Sequence, residues 1–151
     1  MENCIFCKIA KREIDSAKFW ENEKFFALLD IFPNTKGMTL VLTKKHYDSY
    51  VFDMSDEMYT EFMQVGKTVS KLLERGLEIQ RVVLVAEGMG INHAHLKLYP
   101  LHGIQEKFKE MWGKEKIFFE TYEGYISTQL GPAADMKDLK KLAEEIKNKN
   151  Q

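Results

Sequence analysis

Two groups of residues in this chain have the types and spacing to do chemistry. The first is Asn92-His93-Ala94-His95-Leu96-Lys97-Leu98-Tyr99-Pro100, which holds two of the four histidines. Read as a strand, it turns His93, His95, Lys97 and Tyr99 to one face and Ala94, Leu96 and Leu98 into the core. Two rises of about 3.3 Å then separate the imidazoles, close enough for one site and too far apart for a direct hydrogen bond. On the tripeptide alone, a pair of hydrogen-bonded rings on a solvated sheet face explains the pattern equally well. The second group is Cys4-Ile5-Phe6-Cys7, the only two cysteines present. In a reducing compartment this spacing points to a bound metal or a redox pair rather than a structural disulfide.

Such residues need elements to position them. Residues 4–12 read as a short helix or turn. Phe19-Trp20-Glu21 and Phe25 to Leu29 read as strands joined by Asn22-Glu23-Lys24. Ile31 to Gly37 is a turn punctuated by Pro33 and Gly37. Met38 to Leu42 forms another strand, ended by Thr43-Lys44-Lys45. From Ser55 to Leu73 the period changes: Met58, Phe62, Val65, Val69 and Leu72 mark one buried helical face. Ser55, Asp56 and Glu57 suit its N-terminus, and Gly76 is the expected C-terminal cap. Strands follow over Arg81 to Ala86 and Ala94 to Leu101, with Gly88-Met89-Gly90 between them. Phe118 to Leu130 reads as strand. Asp135 to Lys149 is a terminal helix with Met136, Leu139, Leu142, Ala143 and Ile146 as its apolar stripe. This order predicts an α+β domain with a mainly antiparallel sheet, a long central helix and a C-terminal helix.

The 151 residues fit one domain, 1–151, without repeats or a Gly/Ser linker. No apolar run approaches the roughly 18 residues that span a bilayer, so no membrane partner is expected. Met1-Glu2-Asn3-Cys4 lacks the basic and apolar regions of a secretory signal, which predicts a cytoplasmic protein. The net charge of −1 comes from 22 basic and 23 acidic residues that are interspersed, which argues against duplex nucleic acid as a partner. Gly88-x-Gly90 is too short for a phosphate-binding glycine loop.

Three segments together resemble the histidine triad (HIT) family. They are Cys4-Ile5-Phe6-Cys7-Lys8-Ile9, the stretch Leu29 to Leu42 followed by Lys44-Lys45-His46, and the alternating histidines of 92–100. The resemblance spans roughly residues 3–101 and implies a HIT-like fold, in the zinc-containing, Hint-like hydrolase branch. It implies that His95 attacks the α-phosphate of a nucleotide and forms a covalent nucleotidyl-histidine, a role that needs a neutral imidazole with one free nitrogen. Lys97 and Asn92 would meet the phosphate, Asp30 the ribose, and Phe6, Ile9, Phe19 and Ile31 the base. Cys4, Cys7, His46 and His93 would hold zinc, and a Cys₂His₂ set fills the tetrahedral shell and makes the ion structural. The implied substrate is a purine nucleotide or dinucleotide, and the implied assembly a homodimer.

The chain departs from the family pattern in two places. Lys97 stands where the third histidine belongs; it can hold a phosphate but does not shuttle protons at neutral pH as imidazole does. The loop Ala86-Glu87-Gly88-Met89-Gly90-Ile91-Asn92 is short and offers neither serine nor glutamine, only Glu87 and Asn92. Residues 102–151 extend beyond a minimal HIT chain and would cap the pocket or form the dimer contact. The implied function is therefore a nucleotide phosphoramidase or dinucleoside polyphosphate hydrolase. A zinc-containing nucleotide sensor or adaptor with little catalysis, and a nucleotidyltransferase, are the alternatives.

Overall fold

Alternation of apolar side chains builds the sheet. The computed structural model describes residues 3–104, 110–112, 117–124 and 131–150. Five strands, β1 (Lys18–Glu21), β2 (Phe25–Leu29), β3 (Thr39–Thr43), β4 (Val82–Val85) and β5 (His95–Pro100), form one sheet in the order β1-β2-β3-β5-β4. Every neighbouring pair is antiparallel. The helices are α1 (Ile5–Ala10), α2 (Asp56–Leu77) and α3 (Met136–Asn148). The α+β class expected from the sequence, with an antiparallel sheet, a long central helix and a C-terminal helix, is the class observed.

β2 and β3 are buried along their whole lengths, because both faces of the sheet are covered. On one face Phe25, Ala27, Leu29, Val41, Leu96 and Leu98 pack under α2 and α3. Phe25 and Phe62 of α2 stack there with ring centroids 5.4 Å apart. On the other face Phe6 of α1 lies on Phe26, Leu28, Leu40 and Leu42, with Ile9 and Ile91 beside it. The period of two thus separates a thick helical core from a thin one covered by a single short helix. His95 and Lys97 fall on the thin side.

Three expectations about the elements need correction. α2 does not stop at Gly76; it continues to Leu77, and Glu78 closes it in the left-handed conformation with φ of 55°. Gly76 is there for another reason: a Cβ on it would sit 2.8 Å from the Ile146 Cα, so the glycine lets α3 cross α2 closely. The strand expected over 118–130 is absent from 117–124, and 125–130 lie outside the described residues. Aromatic residues favour strands only where a half-buried surface receives them, and Phe118 is 88% exposed. The remaining ends shift by one or two residues, as helix and strand termini do. Ser55 does cap α2, its hydroxyl accepting from Met58 N at 3.4 Å, and Asp135 caps α3.

Candidate functional site

His93 enters the sheet just before β5 and is completely buried. Its Nε2–H donates to the Thr43 carbonyl at 2.8 Å. A carbonyl only accepts, so the proton sits on Nε2 and the bare Nδ1 faces outward from that bond. Nδ1 lies 3.4 Å from Cys4 Sγ and 3.6 Å from Cys7 Sγ. Burial holds the ring below its ordinary pKa, which keeps it neutral as a metal ligand must be. His46, three residues beyond β3, brings Nδ1 to 3.4 Å from Cys7 Sγ. The four ligand atoms all lie within 4.8 Å of one another. Around tetrahedral zinc, with Zn–S near 2.3 Å and Zn–N near 2.05 Å, the sulfur-to-nitrogen edge is about 3.6 Å. The donor set therefore fits that ion in type, number and spacing. α1 is only six residues long and has no side-chain cap. A cation at Cys4 and Cys7 would fasten it to the sheet.

Behind this cluster Asn92 does something other than expected. Its Nδ2 donates to Asp48 Oδ1 at 3.0 Å, and its Oδ1 accepts from Ser49 N at 2.9 Å. Both ends of the amide are committed to the loop after His46. Asp48 in turn lies 3.7 Å from His46 Nε2. Asn92 thus ties the segment bearing His93 to the segment bearing His46.

His95 begins β5 and is 4% exposed. Its Nδ1–H donates to the carbonyl of His93 at 2.7 Å, which leaves the lone pair on Nε2. Burial lowers its pKa, outweighing the backbone hydrogen bond that raises it, so the ring is neutral near pH 7. Phe6 meets it edge-on with centroids 5.5 Å apart. The structure brings Lys97 to the same face; its Nζ lies 3.9 Å from Glu87 Oε2, and both side chains are largely buried. Glu87 also accepts a hydrogen bond from the Tyr122 hydroxyl. Asp30 follows β2 and is buried, with Oδ1 accepting from Phe32 N at 2.8 Å. It is a turn-former whose carboxylate is still close enough to act on His95 and Tyr99.

Of the expected nucleoside contacts, Phe6 and Ile9 share the face of His95, and Ile31 is 42% exposed beside Asp30. Phe19 does not join them. It packs in the core under α2 and α3, on the opposite side of the sheet. Sequence reasoning missed Leu28, which lies beside Phe6, and Tyr122. The extension touches the site at two rims. Tyr122 reaches Glu87 at one, and Gly131 N and Ala134 N donate to the Phe32 and Ile31 carbonyls, at 3.2 and 2.9 Å, at the other.

A five-stranded antiparallel sheet with paired histidines entering one strand, a Cys₂His₂ cluster beside them and two helices behind defines the class of α+β protein to which the chain is compared. The HIT domain model matches residues 11–103, and the chain belongs to the HIT family. It is 33% identical over 116 residues to the protein hit of Bacillus subtilis, covering 74% of this chain and 79% of that one. It is 30% identical over 149 residues to the adenosine 5′-monophosphoramidase of Schizosaccharomyces pombe, covering 97% and 98%. A hypothetical histidine triad nucleotide-binding protein from Sulfolobus tokodaii superimposes with TM-score 0.71 at 25% identity, over 97% of this chain and 91% of that one. A zinc-bound histidine triad family protein from Mycobacterium smegmatis shares the fold, with TM-score 0.68 at 21% identity over 98% and 93%.

Proposed function

We propose that this protein is a nucleotide hydrolase that works through a covalent nucleotidyl-histidine on His95, with nucleotide phosphoramidates or dinucleoside polyphosphates as substrates. The observation that carries this reading is the hydrogen bond from His95 Nδ1–H to the His93 carbonyl, 2.7 Å long. It fixes the tautomer in which Nε2 is a nucleophile, in a ring that burial keeps neutral. Nε2 attacks the α-phosphorus as the bond to the leaving group breaks; water then displaces the histidine. Lys97, on the same face, offers its ammonium to the phosphoryl oxygens as charge builds in each transition state. Asp30 accepts from the ribose hydroxyls, and Phe6, Ile9 and Ile31 supply apolar contact for a purine. The S. pombe relative's name as an adenosine 5′-monophosphoramidase supports this substrate range, as does that of a 34% identical Saccharomyces cerevisiae relative.

The same reading places zinc on Cys4, Cys7, His46 and His93, where it would supply cross-linking rather than Lewis acidity, since four protein ligands fill its shell. His93 is then both ligand and, through its carbonyl, the group that orients His95. A reducing, cytoplasmic setting suits two thiols kept for a metal. No helix among the described residues is long and apolar enough to cross a membrane. Pairing into a homodimer fits β4, an outer strand on which Val83 and Leu84 are 40% and 38% exposed. The extension's contacts with Glu87 and Ile31 support a capping role over one domain.

The test is incubation of the purified protein with adenosine 5′-phosphoramidate, acid-sensitive adduct trapping and mass spectrometry. The expected product is AMP, and the expected intermediate is a phosphorus-linked adenylate on the peptide containing His95. A His95→Ala protein that turns the substrate over as fast as the parent would overturn the mechanism. An adduct or bound AMP without turnover would instead identify a nucleotide sensor.

A further inference from the structure

The connection from β3 to α2 turns aromatic rings outward instead of burying them. Tyr50 and Phe52 are 59% and 67% exposed, although Val51 between them is buried and anchors the 3₁₀ turn Val51–Asp53 in the core. Their rings meet edge to face with centroids 5.5 Å apart. Phe52 also lies 5.9 Å from the ring of Tyr59, near the start of α2. Single exposed apolar residues are ordinary, but a contiguous row of rings marks a surface that another molecule covers.

The charge of the segment indicates what covers it. Residues 47–66 hold Asp48, Asp53, Asp56, Glu57 and Glu61 and no lysine or arginine. Where strand ends lie alongside, the fold supplies cations of its own. Lys45 Nζ sits over the Tyr47 ring, 5.4 Å from its centroid, and Lys24 Nζ pairs with Glu61 at 2.6 Å. Around Phe52 it supplies none. Asp53 follows Phe52 in the chain, and Asp56 stands three residues before Tyr59 on the same helical face. Both carboxylates are exposed, and among the described residues neither is in an ion pair. A guanidinium satisfies both features at once: it stacks on an aromatic face and offers a planar fork of N–H donors to carboxylates beside the ring. A nucleic acid or an anionic lipid surface would meet like charge here.

We propose that Tyr50, Phe52 and Tyr59, with Asp53 and Asp56, form a docking surface for an arginine-bearing basic segment of a partner protein. The surface adjoins the histidine site without belonging to it. A Cβ on Gly88 would lie 2.6 Å from the Ser49 carbonyl oxygen, so the residue before Tyr50 abuts the 86–92 loop that leads into His93. The proposal holds whether or not His95 accepts a nucleotide.

The experiment titrates the isotope-labelled full-length protein with acetyl-Gly-Arg-Gly-Arg-Gly-Arg-amide, followed by amide NMR, beside the same peptide with lysine or with glutamate in place of arginine. The arginine peptide is expected to shift the amides of 50–53 and 56–59 most and to bind at least about threefold more tightly than the lysine peptide. The glutamate peptide is expected to shift none of them. Phe52→Ala, and separately Asp53→Asn combined with Asp56→Asn, should each weaken binding at least about threefold. Glu144→Gln, which removes an exposed charge from α3, should leave it unchanged. The paired aspartate variant carries the test if Phe52→Ala does not fold. Shifts spread evenly over the acidic surface, equal weakening by Glu144→Gln, or no binding of the arginine peptide would overturn the proposal. Shifts at 50–53 that grow with protein concentration in the absence of peptide would also overturn it, and would assign the rings to a second copy of this chain.

Discussion

His93 and His95 carry their protons on opposite ring nitrogens. His93 donates from Nε2 to the Thr43 carbonyl, and His95 donates from Nδ1 to the carbonyl of His93, at 2.8 and 2.7 Å. The segment 93–95 therefore presents Nδ1 of the first ring to the cysteines and leaves Nε2 of the second unprotonated, as the proposed nucleophile requires. Two main-chain carbonyls accomplish this, so it depends on the course of the backbone rather than on further side chains.

That division predicts separable losses. His95→Ala is expected to lower kcat/KM for adenosine 5′-phosphoramidate at least about 1,000-fold while zinc content stays at one per chain. His93→Ala is expected to lose the zinc as well as the activity, since it removes one of the four proposed ligands. Metal analysis beside steady-state kinetics distinguishes the two. A His95→Ala protein without zinc would show that the two rings are not independent in this way.

The metal cluster predicts a local as well as a global effect. Cys7→Ser removes a thiolate that would bridge α1 to the sheet, and zinc affinity is expected to fall by at least about 100-fold. The amides of 8–11, which donate within or at the end of α1, should then exchange with solvent far faster than those of β2 and β3. α1 has no side-chain cap, and Phe6 is its one buried residue, so little else retains it. Hydrogen exchange with and without a chelator checks this in the parent; equal protection of α1 in both would show that the ion does not hold it.

How much of this is legible in the sequence follows from the range of the forces involved. The strand alternation of 94–100 and the apolar stripe of α2 are local, and both are found. The four residues Cys4, Cys7, His46 and His93 come from three distant segments. Only the family resemblance points to them as a set, and the fold does bring them together. Phe19 is misplaced by sequence reasoning because the pairing of β1 with β2 shifts register between Lys18 and Trp20. Such an irregularity reverses which face a residue meets, and nothing in the local sequence marks it. Asn92 is assigned to phosphate by its place in the motif, but its amide is taken by a loop 43 and 44 residues earlier. Tyr122 meets Glu87 across 35 residues of sequence. A lone tyrosine in an aromatic-rich stretch has no period to reveal its partner.

Glu21 predicts how stability responds to acid. Its carboxylate lies 2.9 Å from Lys18 Nζ and 3.1 Å from Lys44 Nζ, and hydrogen bonds from these two lower its pKa from 4.5 to about 2. The folded value is the lower one, so the unfolded chain binds the proton more readily. The stabilisation is fully present above pH 4.5 and is lost as pH falls toward 2. The group is about a third exposed, and solvent screening reduces its contribution to about 1 kcal/mol. Urea unfolding of the parent and Glu21→Gln should differ by that amount at pH 6 and converge below pH 3. Taking the difference cancels every other titration the two proteins share. A constant gap across this range would mean that the ion pairs contribute nothing.

Gly76 predicts a conflict between local preference and tertiary contact, with a sign that the numbers decide. In an isolated helix Gly→Ala is favourable by about 1 kcal/mol. Here the added methyl would lie 2.8 Å from both Cα and Cγ2 of Ile146. A side-chain clash is relieved by a change of rotamer, but the Cα moves only if α3 moves, and α3 buries Leu139, Ala143 and Ile146 against the sheet and α2. Overpacking of this kind costs about 1–3 kcal/mol. The expected net result is a loss of up to about 2 kcal/mol for Gly76→Ala, of which Gly76→Ala combined with Ile146→Ala recovers none, since the backbone contact stays and a cavity is added. Gly90→Ala is the matched control: a methyl added there would meet nothing within 4 Å, and its stability should stay within about 0.5 kcal/mol of the parent. Denaturant unfolding of the three proteins measures all of this, and a stabilised Gly76→Ala would show that α3 can slide on α2 at little cost.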